Sequence, residues 1–190
     1  ESGRREVMRL LEARDIPLIE DDVYAELYHG AHPPPPVKAF DQRGLVMHCG
    51  SFSKCLAPGY RIGWVAGGRY ARAIEHAKIM TTLACAVPSQ QALAGYLAHG
   101  GYERHLRKLR RTLARQRDLA ARLAARYFPP GTRLSTPEGG YFLWVEFPAG
   151  VDTLRLHTEA LARGINVAPG QIFSASRRFA NCLRVNFGHP

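Results

Sequence analysis

The sequence predicts an α/β protein, and three observations carry that expectation. Short apolar runs of strand length alternate with helical patterns through roughly the first hundred residues. A long amphipathic pattern then covers residues 101–127, and a smaller strand, helix, strand, strand region follows it.

Residues 4–14 carry Val7, Met8, Leu10 and Leu11 among charges and read as a helix. It stops ahead of Pro17, because the residue before a proline resists the α conformation. Leu18-Ile19 running into Glu20-Asp21-Asp22 reads as a buried strand whose polar end emerges at a sheet edge, where α/β folds place their sites. The Pro33-Pro34-Pro35-Pro36 run is stiff like a proline-rich ligand, but its surroundings are not of low complexity and a loop is expected. Residues 45–49 and 62–66 are two further strand-length runs, followed by helical patterns over 70–83, 89–99 and 101–127. In the last, Tyr102, Leu106, Leu109, Leu113, Ala120, Leu123 and Tyr127 form one apolar stripe, as in a docked connector helix. Pro129-Pro130-Gly131 breaks the chain; 141–147 reads as a strand, 154–163 as a helix stopped by Gly164, and 165–168 and 183–187 as closing strands. The natural boundary lies near residue 100, giving regions 1–100 and 101–190.

Composition narrows the class. With 46% hydrophobic and 22% charged residues in 190, the chain can bury a core and is not a disordered tail. No apolar run approaches the roughly 18 residues of a membrane span, and residues 1–5 lack a secretory apolar stretch, so a cytoplasmic protein without membrane contact is expected. Cys49, Cys55, Cys85 and Cys182 show neither C-x-x-C nor zinc spacing, which predicts buried thiols and no metal centre. The eight histidines show no partner pattern and read as satisfied or surface groups. Net charge is +10, and residues 101–127 supply nine Lys/Arg against Glu103 and Asp118. That segment is open to reading as a nucleic-acid surface, against which its apolar stripe demands docking.

The chemistry concentrates in residues 50–63. Gly50-Ser51-Phe52-Ser53-Lys54-Cys55-Leu56-Ala57-Pro58-Gly59-Tyr60-Arg61-Ile62-Gly63 places a lysine among hydroxyls, with a Pro-Gly turn and an arginine beyond it. Two hydroxyls and a guanidinium suit a phosphate, since they offer neutral donors and a charged fork. The nucleotide loop G-x-x-x-x-G-K-[ST] is absent. A lysine beside a phosphate site instead suits pyridoxal 5′-phosphate, whose aldehyde condenses with an amine.

The pattern Ser-x-Ser-Lys-x-x-x-Pro-Gly-x-Arg-x-Gly, filled by Ser51, Ser53, Lys54, Pro58, Gly59, Arg61 and Gly63, resembles the lysine motif of class I/II aminotransferases of fold type I. The resemblance implies that Lys54 forms the imine with pyridoxal 5′-phosphate while Ser51, Ser53 and Arg61 hold its phosphate. It also implies an aspartate and a tyrosine three residues apart at a strand end, matched by Asp21 and Tyr24. An anion at the ring nitrogen keeps that nitrogen protonated, and Tyr24 would bond the ring's phenolate oxygen. Asp22 competes with Asp21 for the first role and only spacing separates them. Asn181-Cys182-Leu183-Arg184-Val185-Asn186-Phe187 resembles the family strand whose arginine, here Arg184, clamps the substrate carboxylate. Gly139-Gly140-Tyr141-Phe142 reads equally as an entrance to that site or as a turn into a core strand.

The resemblance implies an α/β fold corresponding to the C-terminal half of a fold type I transferase: part of the large-domain sheet with its helices, plus the small α+β domain. A complete member carries a Gly-rich phosphate turn, a stacking aromatic and a dimer contact in its other half, so this chain alone is expected to bind the cofactor weakly and to be a poor catalyst. Gly100-Gly101-Tyr102-x-x-His105-Leu106-x-x-Leu109-Arg110 and Ala168-Pro169-Gly170-x-x-Phe173-Ser174 look like the MocR branch of the GntR transcriptional regulators. There a helix-turn-helix DNA reader precedes an aminotransferase-like effector domain. Two functions therefore stand: regulator effector domain with residual transamination, or part of a free-standing aminotransferase moving an amino group between an amino acid and a 2-oxo acid. Both imply an amino acid or amine ligand and a homodimer, and only the first implies DNA, bound through a domain outside these residues.

Overall fold

The computed structural model describes residues 1–188, and the chain divides into two compact units, Glu1–Leu109 and Arg110–Pro190. The first unit holds strands β1 (Leu18–Asp21), β2 (Val46–Ser51) and β3 (Gly63–Ala66) with helices α1 (Ser2–Arg14), α2 (Ala71–Thr82) and α3 (Val87–Ala98). Helix α4 (Gly101–Tyr127) begins in this unit and ends in the second. Its 27 residues give about 40 Å of rod at 1.5 Å per residue.

The sheet order is β1-β2-β3, with β1 parallel to β2 and β3 antiparallel to it. Asp21 pairs with Cys49, and Ser51 pairs with Gly63. The last residues of β1 and β2 and the first of β3 thus meet at one edge of the sheet. Paired positions share a face, so Ile19, Asp21, Cys49, Ser51 and Val65 lie on one side and Glu20, His48, Gly50 and Trp64 on the other. Gly50 is required where it stands, since a methyl group there would run into the Trp64 indole.

Two carboxylates fix the start of β2. Asp41, its side chain fully buried, accepts hydrogen bonds from the backbone N–H of Leu45 (3.0 Å) and Val46 (2.9 Å) and from Lys38 Nζ (2.9 Å). Glu20 accepts from the N–H groups of Val37 (2.7 Å) and Lys38 (3.0 Å), where an anion suits the start of the 3₁₀ turn Val37–Phe40. The preceding Pro33–36 run is loop, as expected.

The second unit holds β4 (Arg133–Leu134), β5 (Phe142–Glu146), α5 (Thr153–Leu161), β6 (Ala168–Pro169) and β7 (Cys182–Asn186). Its antiparallel sheet runs β4-β5-β7-β6, and one face packs Val145, Phe147 and Leu183 against Phe128, Leu134, Val151 and Leu156. Asp152 caps α5 by accepting from the N–H groups of Leu154 and Arg155.

Two expectations are corrected and one strand is added. The strand expected over 165–168 shrinks to Ala168–Pro169, because Ile165 N–H still donates to the Ala160 carbonyl at 2.9 Å and Gly164 turns left-handed (φ 77°) to close α5. β4 escaped notice because two residues carry no periodicity, although Leu134 pairs with Val145. Along α4, Tyr102, Leu106 and Leu113 are buried, but Leu123 (45% exposed) and Tyr127 (68% exposed) are not. Ala124 is buried in their place, since a 3.6-residue repeat drifts away from a stripe of sevens.

The bonds that Asp41 accepts outweigh its burial and hold its carboxyl at about 2, below the usual 3.8. A depressed folded value contributes stability above the unfolded value and loses it as the pH falls. About 2 kcal/mol is therefore expected above pH 4 and lost on acidification towards pH 2. Asp41→Asn should remove that acid-dependent step and lower stability at neutral pH by about 1–3 kcal/mol, as measured by urea unfolding across the pH range, because an amide nitrogen then faces backbone donors.

Candidate functional site

The pairing of β1 with β2 positions the first group of side chains. Asp21 ends β1 beside Cys49, on the same face as Ser51, and the ladder extends one step further through Asp22 N–H to the Cys49 carbonyl (2.9 Å). Burial, and then the nearby Asp21 carboxylate, push the Cys49 thiol up. Asp22 points to the opposite face, where it meets His48 Nε2 at 3.1 Å. The register thus separates the two carboxylates, and only Asp21 shares a face with Ser51.

Tyr24 follows directly, ahead of the 3₁₀ turn Ala25–Leu27, whose last N–H donates to the Tyr24 carbonyl at 2.9 Å. That turn keeps the tyrosine at the same sheet edge as Asp21.

Beyond β2 the chain folds into a tight turn. Ser53 N–H donates to Ser51 Oγ (3.0 Å), which in turn donates to the Ile62 carbonyl (3.3 Å), while Leu56 and Ala57 N–H both return to the Phe52 carbonyl. Lys54 is exposed at the apex of this turn. Arg61 closes the 3₁₀ turn Pro58–Tyr60 in the left-handed conformation (φ 54°), a region costly for a side chain with a Cβ. Its guanidinium is exposed, with Nη1 donating to the Pro58 carbonyl at 3.3 Å.

One edge of one unit therefore gathers a carboxylate, a tyrosine, two hydroxyls, an amine and a guanidinium. This donor set fits pyridoxal 5′-phosphate: Ser51, Ser53 and Arg61 offer donors for a dianion, Asp21 offers an anion for a ring nitrogen, and the Lys54 amine is open to solvent.

Arg184 lies in the second unit, on β7 between Trp144 and Ala168. Its guanidinium stacks over the Phe142 ring (4.3 Å) and the Phe173 ring (4.7 Å), and Trp144 meets Phe173 edge-on at 5.6 Å. Aromatic faces hold the planar fork in place while leaving its edge for a carboxylate. The aromatic partners of Arg184 were not foreseen, although pairing of alternate strand residues was a usable signal for Trp144. Gly140, with φ 73°, turns the chain into β5.

Sequence reasoning also missed the inner side of the lysine turn. Cys55 Sγ and the Tyr102 hydroxyl are hydrogen-bonded at 3.2 Å, and His105 Nε2 meets the Cys55 carbonyl at 2.8 Å. Of the histidines expected to be satisfied or surface groups, His48, His99, His105 and His157 bond nearby groups, His157 Nδ1 to the Val167 carbonyl among them. Among the described residues no helix is long and apolar enough to cross a membrane.

Comparison with known proteins agrees with this arrangement. The Aminotransferase class I and II family matches residues 4–190. The HTH-type transcriptional regulator YdcR of Escherichia coli is 44% identical over 183 residues, 96% of this chain but 39% of that protein. The multiple substrate aminotransferase of Thermococcus profundus superposes with a TM-score of 0.90 at 35% identity, over all of this chain and 47% of that one. LysN, the α-aminoadipate aminotransferase of Thermus thermophilus, solved with N-(5′-phosphopyridoxyl)-L-leucine, gives 0.90 at 27% identity over 98% of this chain and 49% of its own. The chain thus spans less than half of these relatives, and within that span its fold is that of the fold type I aminotransferases. It belongs to the class I and II aminotransferase family.

Proposed function

We propose that the chain is a pyridoxal 5′-phosphate-binding, aminotransferase-like domain in which Lys54 is the covalent anchor, and that it serves as the effector domain of a MocR/GntR-type transcriptional regulator. The observation that carries the cofactor reading is the convergence of Asp21, Tyr24, Ser51, Ser53, Lys54 and Arg61 at one sheet edge, set by the pairing of β1 with β2. The 44% identity to an HTH-type regulator supports the regulatory half of the reading. The similarity to the Thermococcus profundus aminotransferase supports a second reading, part of a free-standing enzyme acting on an amino acid and a 2-oxo acid.

When bound, pyridoxal 5′-phosphate supplies an aldehyde for an amine and a ring that withdraws electrons. The chain's own residues do the rest. The Asp21 carboxylate accepts a hydrogen bond from a protonated ring nitrogen and keeps the proton there. The Tyr24 hydroxyl donates to the ring's phenolate oxygen. The Ser51 and Ser53 hydroxyls and the Arg61 guanidinium grip the phosphate, and a charge-assisted bond to it outcompetes the long Ser51 to Ile62 contact. Arg184 takes the ligand's carboxylate in two parallel bonds, its plane set by Phe142 and Phe173. The Lys54 amine would take and return the proton at the ligand's α-carbon. The partners on this reading are an amino acid or amine, a 2-oxo acid, a second copy of the protein, and DNA contacted through a helix-turn-helix domain.

Borohydride reduction in the presence of pyridoxal 5′-phosphate should fix one cofactor to Lys54, located by peptide mass mapping, and Lys54→Ala should abolish it. Labelling of another lysine would overturn the reading. Arg184→Lys should weaken the amino-acid-induced change in cofactor absorbance about 10- to 100-fold while leaving cofactor affinity unaltered, because a point charge replaces a bidentate fork. Steady transfer to a 2-oxo acid at about 1 s⁻¹ or faster favours the enzyme; a stoichiometric absorbance response with altered DNA affinity favours the regulator.

A further inference from the structure

The turn that carries Lys54 is held from its inner side by the first turns of α4. Cys55, next to the lysine, is buried (2% exposed), with its Sγ 3.5 Å from the Ser51 carbonyl and 3.2 Å from the Tyr102 hydroxyl. His105 Nε2 lies 2.8 Å from the Cys55 carbonyl. A carbonyl only accepts, so Nε2 carries the proton and donates it to that bond. Phe52, whose carbonyl receives the Leu56 and Ala57 N–H groups, meets the Tyr102 ring edge-on at 5.6 Å. Tyr102 and His105 are three residues apart, hence on one helix face, and Leu106 beside them is fully buried.

Two side chains of one helix thus hold the turn on either side of Lys54, Tyr102 through the Phe52 ring two residues before it and the Cys55 thiol next to it, and His105 through the Cys55 carbonyl. Lys54 itself faces solvent. A long lysine side chain is flexible, so its reach is set by where its Cα is held. Phe52 N–H donates to the Ile62 carbonyl and Ser53 N–H to Ser51 Oγ at the start of the turn, Leu56 and Ala57 return to the Phe52 carbonyl at its end, and no strand pairing covers residues 53–57. Tyr102 is buried, and desolvation followed by its bond with Cys55 pushes the hydroxyl's proton affinity up, so it stays neutral and bonded through the working pH range.

We propose that Tyr102 and His105 are positioning residues that clamp the 52–56 turn from α4 and thereby fix the Lys54 amine for covalent capture of the cofactor. This rests on Lys54 being the anchor, yet it assigns roles to two residues of α4, outside the turn that carries the lysine. The clamp makes the attitude of α4 at its first turns a determinant of lysine reactivity.

Two measurements on the protein test it. Without cofactor, hydrogen exchange in His105→Ala should accelerate the Leu56 and Ala57 amides about tenfold or more while the β1–β3 amides keep their rates. With pyridoxal 5′-phosphate, the same variant should lose several-fold in the yield fixed to Lys54 by borohydride and should shift the pH midpoint of the bound cofactor's absorbance. His105→Gln, whose amide nitrogen also donates, should restore both. Tyr102→Phe, which keeps the ring and loses the hydroxyl, supplies the same readings if His105→Ala fails to fold. Unchanged exchange at Leu56 and Ala57 overturns the clamp whatever the cofactor does. An unchanged pH midpoint and yield, or no rescue by glutamine, overturns its role at the lysine. Cofactor fixed elsewhere than Lys54 in the unaltered protein overturns the functional reading and this role with it, leaving the exchange result to report on the turn alone.

Discussion

The parallel pairing of β1 with β2 is the constraint on which the candidate site depends. Two strands far apart in sequence end at the same edge only because Leu18 pairs with Val46 and Asp21 with Cys49. A slip of one residue would turn Asp21 to the face now held by Asp22 and bring Asp22 beside Ser51 instead. Register is therefore guarded along the length of the sheet. Asp41 gathers the first amides of β2, Glu20 ties β1 to the 3₁₀ turn Val37–Phe40, and Trp64 fits only over a glycine at position 50. Each of these groups fixes where the lysine turn begins.

Much of this was legible in the sequence, for identifiable reasons. Leu18 and Ile19 running into acidic residues announced a strand ending at an edge, though not a buried one since Ile19 is exposed, and the α1, α4 and β5 patterns were long enough for periodicity to show. The seven-position lysine motif lies within one turn and its flanks, so its residues meet through local geometry alone. What escaped depends on distance along the chain. The bond from His105 to Cys55 spans 50 residues and has no sequence signature beyond a Tyr-x-x-His spacing on one helix face. The choice between Asp21 and Asp22 needed the register, since neighbours in a strand differ only in the face they take. The stripe on α4 failed at Leu123 and Tyr127 because Ala124, buried in their place, carries too little apolar character to be read as part of it.

Each unit, taken by itself, carries its own chemistry. The first supplies hydroxyls, a carboxylate and an amine on backbone turns, where short side chains leave little freedom. The second offers one guanidinium whose freedom is removed by aromatic rings, with Phe142 and Phe173 each within 5 Å of the Arg184 carbon. Trp144 backs this arrangement by meeting both Phe173 and Phe179 edge-on at 5.6 Å. On the proposed reading, an arginine held this way has paid part of its ordering cost before a ligand arrives, which favours selectivity for a planar carboxylate over a merely negative group.

On the proposed reading the same side chains serve sensing or turnover, and the difference between those outcomes is energetic rather than compositional. A ligand that exchanges with Lys54 shifts a conformational equilibrium only by its differential affinity for the two states, so a sensor profits from a covalent complex that persists. An enzyme profits when every complex is destabilised relative to the steps between them. The attitude of the lysine sets how readily the amine recaptures the cofactor and releases the ligand, and that attitude is governed by the turn between Ser51 and Ala57. A turn tethered to α4 by two side chains can be tuned without disturbing Asp21, which the pairing of β1 with β2 holds independently. The carboxylate at the sheet edge is thereby free to remain the same while the lifetime of a bound amine changes.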